Sequence, residues 1–207
     1  MKKIGIIGSG NVGQALANGF KESCYQVMVG TREASKLEGL AGVEKGSVAA
    51  TIKFADLLVL CVKGSVAIEI LHGHPVDGKV IIDTTNPISE QPPENGVLKF
   101  FTKDGESLIG LLQKAYPNAH FVKAFNSVGS SLMYKPDFGG IKPTMFICGN
   151  EVSAKSQVAG ILEAFGWEVE DMGGTEAGAC LENLCVLWCI PGFRENRWNH
   201  AFKLLKT

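Results

Sequence analysis

The sequence predicts an α/β protein with a doubly wound, mostly parallel sheet, because short apolar runs alternate with segments of helical spacing. Residues 57–62 (LLVLCV) form a nearly continuous apolar run, as expected of a strand that is covered on both faces. The alternation continues through the chain and gives no domain boundary, so residues 1–207 are predicted to form a single domain with helices at its C-terminus.

The predicted strands are 3–7, 26–29, 57–62, 79–83, 120–125, 144–148 and 167–170. The predicted helices are 11–21, 34–40, 66–71, 107–115, 153–165 and 177–189, with a last short helix near 200–205. Residues 86–95 are rich in Pro, Asn and Glu and are predicted to form a loop.

Charge and apolar patterning argue against nucleic-acid binding, membrane association and secretion. The 20 basic and 21 acidic residues give a net charge of -1, which does not indicate a nucleic-acid partner. The sequence has no apolar run of about 18 residues, so no membrane association is expected. Lys2 and Lys3 lead into an apolar run too short for a secretion signal, which predicts a cytoplasmic protein whose six cysteines are reduced thiols.

A glycine motif, GSGNVG, links the first predicted strand to the first predicted helix. In this context the motif predicts a dinucleotide-binding loop of the Rossmann type. One glycine permits the tight turn, the next lets the backbone approach a pyrophosphate, and the last lets the helix pack closely on the strand. The predicted loop residues are Gly8, Ser9, Gly10, Asn11, Val12 and Gly13.

The end of the second predicted strand favours NADP(H) over NAD(H). NAD-binding folds usually place an acid there, to bind the ribose 2′-hydroxyl. Here the residues are Gly30, Thr31 and Arg32, and the first acid is Glu33. Thr31, Arg32 and Lys36 are therefore predicted to bind a 2′-phosphate, since guanidinium geometry suits phosphate.

Several further motifs carry a family resemblance: GTR at 30–32, DTTNP at 83–87, KAFNSVG at 123–129, FICGN at 146–150 and GTEAGACLENL at 174–184. With the glycine motif they resemble the NADP oxidoreductases that depend on coenzyme F420, and the sequence is also similar to the cytosolic domain of STEAP-type metalloreductases. The resemblance implies hydride transfer between NADPH and a deazaflavin or flavin-like small molecule. It places Val62, Lys63, Asn86, Pro87, Ala124, Phe125 and Asn126 around the nicotinamide, its ribose and the acceptor. The family pattern usually has a basic residue where this chain has Cys180.

No catalytic side chain is predicted, because hydride transfer between two stacked rings depends on positioning more than on acid–base chemistry. No metal site is predicted either. Cys185 and Cys189 share a helix face but are expected to pack in the core, and His72 and His74 lie in a predicted turn.

Three other functions remain possible. The chain could be an NADPH-binding sensor without turnover, or an imine reductase similar to pyrroline-carboxylate reductase. A β-hydroxyacid dehydrogenase is disfavoured, because Cys180 stands three residues before Asn183, where that family has a catalytic lysine. A C-terminal cluster of Trp188, Phe193 and Trp198 makes a homodimer possible.

Overall fold

The computed structural model describes residues 2–31, 37 and 39–207. The strands are β1 Lys3–Ile7, β2 Gln26–Gly30, β3 Glu44–Gly46, β4 Leu57–Leu60, β5 Val80–Asp83, β6 His120–Lys123, β7 Thr144–Ile147 and β8 Glu168–Asp171. The α-helices are α1 Asn11–Glu22, α2 Val48–Phe54, α3 Leu108–Ala115, α4 Val152–Ala164 and α5 Gly178–Glu195.

The first six strands form one sheet in the order β3-β2-β1-β4-β5-β6, and every pairing in it is parallel. The chain therefore turns outward in both directions from β1, which confirms the doubly wound α/β fold. Strands β1 and β4 lie at the centre and are buried almost throughout, which explains their continuous apolar sequences.

Two apolar clusters cover the two faces of this sheet. One contains side chains of α1 and α4 and includes Phe20, Phe165 and Trp167. The other contains side chains of α2, α3 and α5 and includes Phe121. Helices thus pack on both faces, as parallel strands require.

Strands β7 and β8 pair in parallel as a separate small sheet. An antiparallel bridge between Lys123 and Cys148 joins this small sheet to the end of β6. The small sheet therefore lies beside the carboxyl end of β6, the last strand of the six-stranded sheet.

Some predicted elements differ in the structure. The predicted helix at 66–71 is two single 3-10 turns, Gly64–Val66 and Glu69–Leu71. The predicted helix near 200–205 is wrong: this segment has no helix, and the carbonyl of Phe202 accepts a hydrogen bond from the backbone N–H of Thr144. The N–H of Leu204 also donates to the hydroxyl of Thr144, so hydrogen bonds to the start of β7 satisfy two backbone groups that a helix would pair internally.

The sequence analysis missed β3 and α2, and it ended α5 too early. The helix α5 continues through Pro191 to Glu195 and ends at Asn196, which has a left-handed backbone with φ of 51°. The predicted helix at 34–40 lies largely outside the described residues. No helix in the described part of the chain is long and apolar enough to cross a bilayer.

Candidate cofactor-binding site

The glycine loop begins where β1 ends. Gly8 has φ of +119°, a conformation that side chains disfavour, and its N–H donates to the carbonyl of Gly30 at 3.0 Å. A Cβ atom at Gly8 would lie 2.2 Å from the carbonyl oxygen of Cys61. Position 8 therefore requires glycine both for its conformation and for the close approach of β4.

The other two glycines of the motif differ sharply from each other. A Cβ atom at Gly13 would lie 2.1 Å from the carbonyl oxygen of Gly8, so α1 packs directly on the loop. A Cβ atom at Gly10 would meet nothing within 4 Å. Packing therefore requires glycine at position 13, whereas the space beyond Gly10 is open.

The start of α1 is suited to an anion. Gly10 is the N-cap residue, no side-chain hydrogen bond caps it, and the first turn contains no acidic residue. The N–H groups at a helix start carry the positive end of the helix dipole. With the open space beyond Gly10, these groups fit a pyrophosphate.

A pair of hydroxyls ties the glycine loop to the end of β2. Ser9 Oγ lies 2.7 Å from Thr31 Oγ1, and Gln14 Nε2 donates to the carbonyl of Ser9 at 2.9 Å. The structure thus brings two of the predicted cofactor residues, Ser9 and Thr31, into direct contact. Arg32 and Lys36 lie outside the described residues, so their predicted contact with a 2′-phosphate stays a prediction.

A cavity of about 420 Å³ lies next to this loop, at the carboxyl ends of β4 and β5. We call it the cofactor cavity. Its lining residues are Val12, Cys61, Val62, Lys63, Gly64, Ser65, Thr84, Thr85, Asn86, Ile88, Ser89 and Glu90. Ligands of doubly wound folds bind at this edge of the sheet, and the volume is within the range of small-molecule sites, roughly 300–1,000 Å³.

Four residues predicted for the cofactor meet in this cavity: Val12, Val62, Lys63 and Asn86. Pro87 is buried beside them. The sequence analysis missed the remaining lining residues as site residues: Cys61, Gly64, Ser65, Thr84, Thr85, Ile88, Ser89 and Glu90. Their position directly after β4 and β5 was the available signal.

The loop after β5, which was predicted from its composition, folds back along the cavity. Ser89 N–H donates to the carbonyl of Lys99 at 2.8 Å, and Phe101 N–H donates to the carbonyl of Pro87 at 2.8 Å. A Cβ atom at Gly96 would lie 2.9 Å from Arg194 Cγ. The far end of the loop therefore packs on α5, which fixes the cavity wall formed by 88–90.

The predicted residues after β6 lie in a different environment. Ala124 and Phe125 are buried in the core, and the Phe125 ring lies 6.2 Å from the Phe165 ring between centroids. Any contact of these two residues with a cofactor would come from their backbone. Asn126 is buried as well, and its amide donates to the carbonyl of Leu181 at 2.8 Å.

A buried network of charges lies at the carboxyl ends of β5 and β6, and the sequence analysis missed it. Lys123 Nζ lies 2.6 Å from Asp83 Oδ2 and 2.8 Å from Glu182 Oε1, and all three side chains are at most 1% exposed. Lys123 Nζ also donates to the carbonyl of Thr85 at 2.8 Å. Burial acts to lower the pKa of Lys123, but the carboxylates of Asp83 and Glu182 outweigh it and raise that pKa. The lysine is therefore a cation.

Both carboxylates of this network have further donors. Asp83 Oδ1 accepts from the N–H of Thr85 at 2.9 Å and from its hydroxyl at 2.6 Å. The carboxylate of Glu182 accepts from the N–H groups of Leu108 and Ile109, which open α3, at 3.0 and 3.1 Å. Buried charges require such partners, because an unpaired one costs several kcal/mol.

The cysteines are all free thiols, and Cys24 and Cys180 are exposed. Burial raises the pKa of Cys61 to about 12, so this cavity-lining group is a neutral thiol. Cys185, on the helix face that it was predicted to share with Cys189, is buried, whereas Cys189 is half-buried. The described residues contain no group of three or more His, Cys, Asp or Glu side chains arranged for a metal ion.

The aromatic residues near the C-terminus pack on one another. The Trp198 ring lies 5.7 Å from the Trp188 ring and 5.2 Å from the Phe193 ring, between centroids. Phe193 and Trp198 remain partly exposed. These contacts lie within one chain, and a homodimer at this cluster stays a prediction.

Comparison with known proteins supports the resemblance seen in the motifs. Residues 3–87 match the family described as NADP oxidoreductase, coenzyme F420-dependent. The metalloreductase STEAP3 of Rattus norvegicus is 25% identical over 202 residues, which are 91% of this chain and 38% of that protein. The chain thus spans well under half the length of this relative.

Solved structures share the fold. A crystal structure of a suggested F420-dependent NADP reductase from Arthrobacter sp. FB24 superposes with a TM-score of 0.91, at 26% identity and with 100% of both chains covered. A reductive aminase from Aspergillus terreus in complex with NADPH and ethyl levulinate superposes with a TM-score of 0.64 at 21% identity. That match covers 90% of this chain and 60% of the aminase, and it shows a shared fold only.

Proposed function

We propose that this chain is an NADP-dependent oxidoreductase that transfers a hydride between NADP(H) and a deazaflavin such as coenzyme F420, or a flavin-like acceptor. The family match over residues 3–87 and the structural match over the whole chain support this proposal. The observation that carries this proposal is the cofactor cavity. It adjoins an open glycine loop at the carboxyl edge of the sheet, and four of the residues expected around the cofactor line it.

The glycine loop fits the cofactor's pyrophosphate. The open space beyond Gly10 leaves room for an anion, and the uncapped start of α1 supplies donors to it. Thr31, Arg32 and Lys36 would bind the 2′-phosphate, as the sequence predicts. Val62, Lys63, Asn86 and Pro87 would then contact the nicotinamide and its ribose.

The cavity walls favour positioning over acid–base chemistry. When bound, NADPH supplies the hydride itself, so the protein has to hold two rings in contact and exclude water. Among the lining residues the ionisable groups are Cys61, Lys63 and Glu90. Cys61 is held as a neutral thiol, while Lys63 and Glu90 are exposed at the rim. We therefore assign no general acid or base.

The test is NADPH oxidation by the purified protein, followed by absorbance against coenzyme F420, FMN, FAD, a quinone and a ferric chelate. We expect turnover with the deazaflavin or a flavin, and less with the quinone and the chelate. Gly10→Ala is the matched control, because the added methyl group points into the space assigned to the pyrophosphate. Turnover that survives Gly10→Ala would come from a different site.

Tight NADPH binding without turnover on any acceptor would contradict the proposed reaction. That result would favour the sensor alternative, which keeps every residue of the glycine loop. A cyclic imine added to the same panel tests the imine reductase alternative, and turnover with the imine alone would also contradict the proposal.

A further inference from the structure

Thr85 lines the cofactor cavity, and three hydrogen bonds join it to two buried charged side chains. Its N–H and its hydroxyl both donate to Asp83 Oδ1, and its carbonyl accepts from Lys123 Nζ. Asp83 and Lys123 are paired in register at the ends of β5 and β6 and form an ion pair of their own. Every polar group of Thr85 is thus bound to one ion pair.

We propose that the buried Lys123–Asp83 pair is a positioning device, which holds Thr85 and so sets the shape of the cofactor cavity. The inference rests on the proposed function, since it assigns the purpose of this wall to cofactor binding. Lys123 and Asp83 are positioning residues, because both side chains are fully buried and neither Lys123 nor Asp83 lines the cavity.

Stability alone is a poor explanation for this network. Replacing a buried ion pair by apolar side chains of similar volume often leaves stability unchanged or raises it, because removing two charges from water is costly. Apolar side chains, however, cannot form the hydrogen bonds that fix a neighbouring backbone segment. Here the two ions bind both the N–H and the carbonyl of Thr85, and so fix the backbone just before Asn86.

Glu182 offers a matched comparison within the same network. It also contacts Lys123 Nζ, but its other hydrogen bonds go to Leu108 and Ile109 at the start of α3. None of these contacts involves Thr85. Asp83→Asn and Glu182→Gln therefore each remove one buried negative charge from Lys123, but only the first also alters the direct hydrogen bonds to Thr85.

An amide at position 83 cannot satisfy both of its neighbours. If its oxygen faces Thr85, its NH₂ group faces the Lys123 ammonium, and both are donors. If its oxygen faces Lys123, the NH₂ group faces the N–H and hydroxyl of Thr85. Either orientation releases one anchor of Thr85. In Glu182→Gln the NH₂ group faces either the N–H of Leu108 or, in the other orientation, both Lys123 and the N–H of Ile109, so this amide also meets a donor.

The experiment measures NADPH binding by calorimetric titration, thermal unfolding, and kcat and KM for NADPH, for wild type, Asp83→Asn and Glu182→Gln. We expect both variants to unfold at a lower temperature. Asp83→Asn should weaken NADPH binding about tenfold, because it weakens the hydrogen bonds that hold Thr85 in the cavity wall. The KM for NADPH should rise by a similar factor, and kcat should change less. Glu182→Gln should keep its affinity within about twofold.

If Asp83→Asn does not fold, a second pair of variants tests whether the hydrogen bond from Thr85 to Asp83 affects NADPH binding. Thr85→Val keeps the shape of the side chain but removes the hydroxyl that donates to Asp83, and Thr85→Ser keeps that donor. We expect weaker NADPH binding in Thr85→Val than in Thr85→Ser, because only the serine keeps the donor to Asp83. Equal affinities in the two variants would contradict the inference.

Two results would overturn the inference, and they are distinguishable. If wild type binds NADPH and the losses in affinity follow the losses in stability equally for both carboxylate variants, the network is only structural. If wild type shows no saturable NADPH binding, the proposed function fails, and this inference fails with it.

Discussion

Asn86 and Asn126 bind each other across the carboxyl ends of β5 and β6. Asn86 Nδ2 donates to the carbonyl of Asn126 at 2.8 Å, and Asn126 Nδ2 donates to Asn86 Oδ1 at 3.1 Å. Two residues 40 positions apart in the chain, both predicted to contact the cofactor, thus form one reciprocal pair. Asn126 also donates to α5, so this pair ties the cavity wall to the helix behind it.

This pair predicts energetic coupling. Asn126→Ala should cost about 1–3 kcal/mol of the free energy of unfolding, because it removes both hydrogen bonds that the buried amide donates, to the carbonyl of Leu181 and to Asn86 Oδ1. A double-mutant cycle with Asn86→Ala should show a coupling energy of about 0.5–1.5 kcal/mol. Urea unfolding of the four proteins measures it. Strict additivity would show that the two amides act independently.

Asn118→Ala is the control for this cycle. Its amide donates to Asp77 at 3.2 Å on the exposed surface. Removing it should change the free energy of unfolding by no more than about 0.5 kcal/mol, and its effect should add to that of Asn86→Ala.

The preference for NADP(H) predicts an asymmetric effect at position 32. Arg32→Asp should weaken NADPH binding by about 1.5–3 kcal/mol more than NADH binding, because only NADPH carries the 2′-phosphate. Parallel titrations with both cofactors measure the difference. Lys114→Asp, an exposed change of equal charge in the last turn of α3, should leave the ratio of the two affinities unchanged. An equal loss for both cofactors in Arg32→Asp would contradict the assignment.

The Cys61 thiol predicts a loss of stability in alkali. Its pKa is raised from 9.0 to about 12 by burial, so above pH 9 the folded state holds a proton that the unfolded chain releases. The stabilisation is complete below pH 9 and is lost as the pH rises toward 12, at up to about 1.4 kcal/mol per pH unit from this one group.

Urea unfolding between about pH 8 and pH 10.5 measures this slope. Cys61→Ala should lower stability at the start of that range, because it leaves a small cavity, but its stability should fall less steeply in alkali than that of wild type. Cys148, whose pKa burial also raises to about 12, contributes to the slope that remains. Identical slopes in the two proteins would contradict the assignment to Cys61.

Much of the fold was predictable because its central strands are apolar throughout. β1 and β4 have this pattern, and the glycine motif fixed the position of α1. The short helix α2 and the strand β3, only 3 residues long, carry too little periodicity to be recognised. The segment 200–205 was mistaken for a helix because Phe202 and Leu205 stand three residues apart, which is a helical spacing. Its hydrogen-bond partner is Thr144, about 60 residues earlier, which donates its N–H to the carbonyl of Phe202 and accepts from the Leu204 N–H at its hydroxyl.

The site was predictable in part for a related reason. The glycine motif predicted Val12, and the family resemblance predicted Lys63 and Asn86; all three line the cavity at the carboxyl edge of the parallel sheet. The Lys123–Asp83–Glu182 network was missed because its members are distant in sequence. A charged residue at the end of an apolar strand, as in IID at 81–83 and FVK at 121–123, was the available signal.

The glycine loop offers two matched substitutions, of which only one is expected to lower stability. Gly13→Ala places a methyl group against the carbonyl of Gly8 and should lower the free energy of unfolding by about 1–3 kcal/mol. Gly10→Ala meets no atom within 4 Å, at a φ of -74° that alanine adopts readily, and should leave thermal stability nearly unchanged. Thermal unfolding of both variants distinguishes the glycine that packing requires from the glycine that faces open space.

The most direct measurement is a calorimetric titration of wild type and Gly10→Ala with NADPH. The account predicts saturable binding at one site per chain in wild type, and binding at least about tenfold weaker in Gly10→Ala at unchanged thermal stability, because the methyl group occupies the approach of the pyrophosphate. Equal affinity in the two proteins, or no saturable binding in wild type, would contradict the assignment of this loop and cavity to NADP(H).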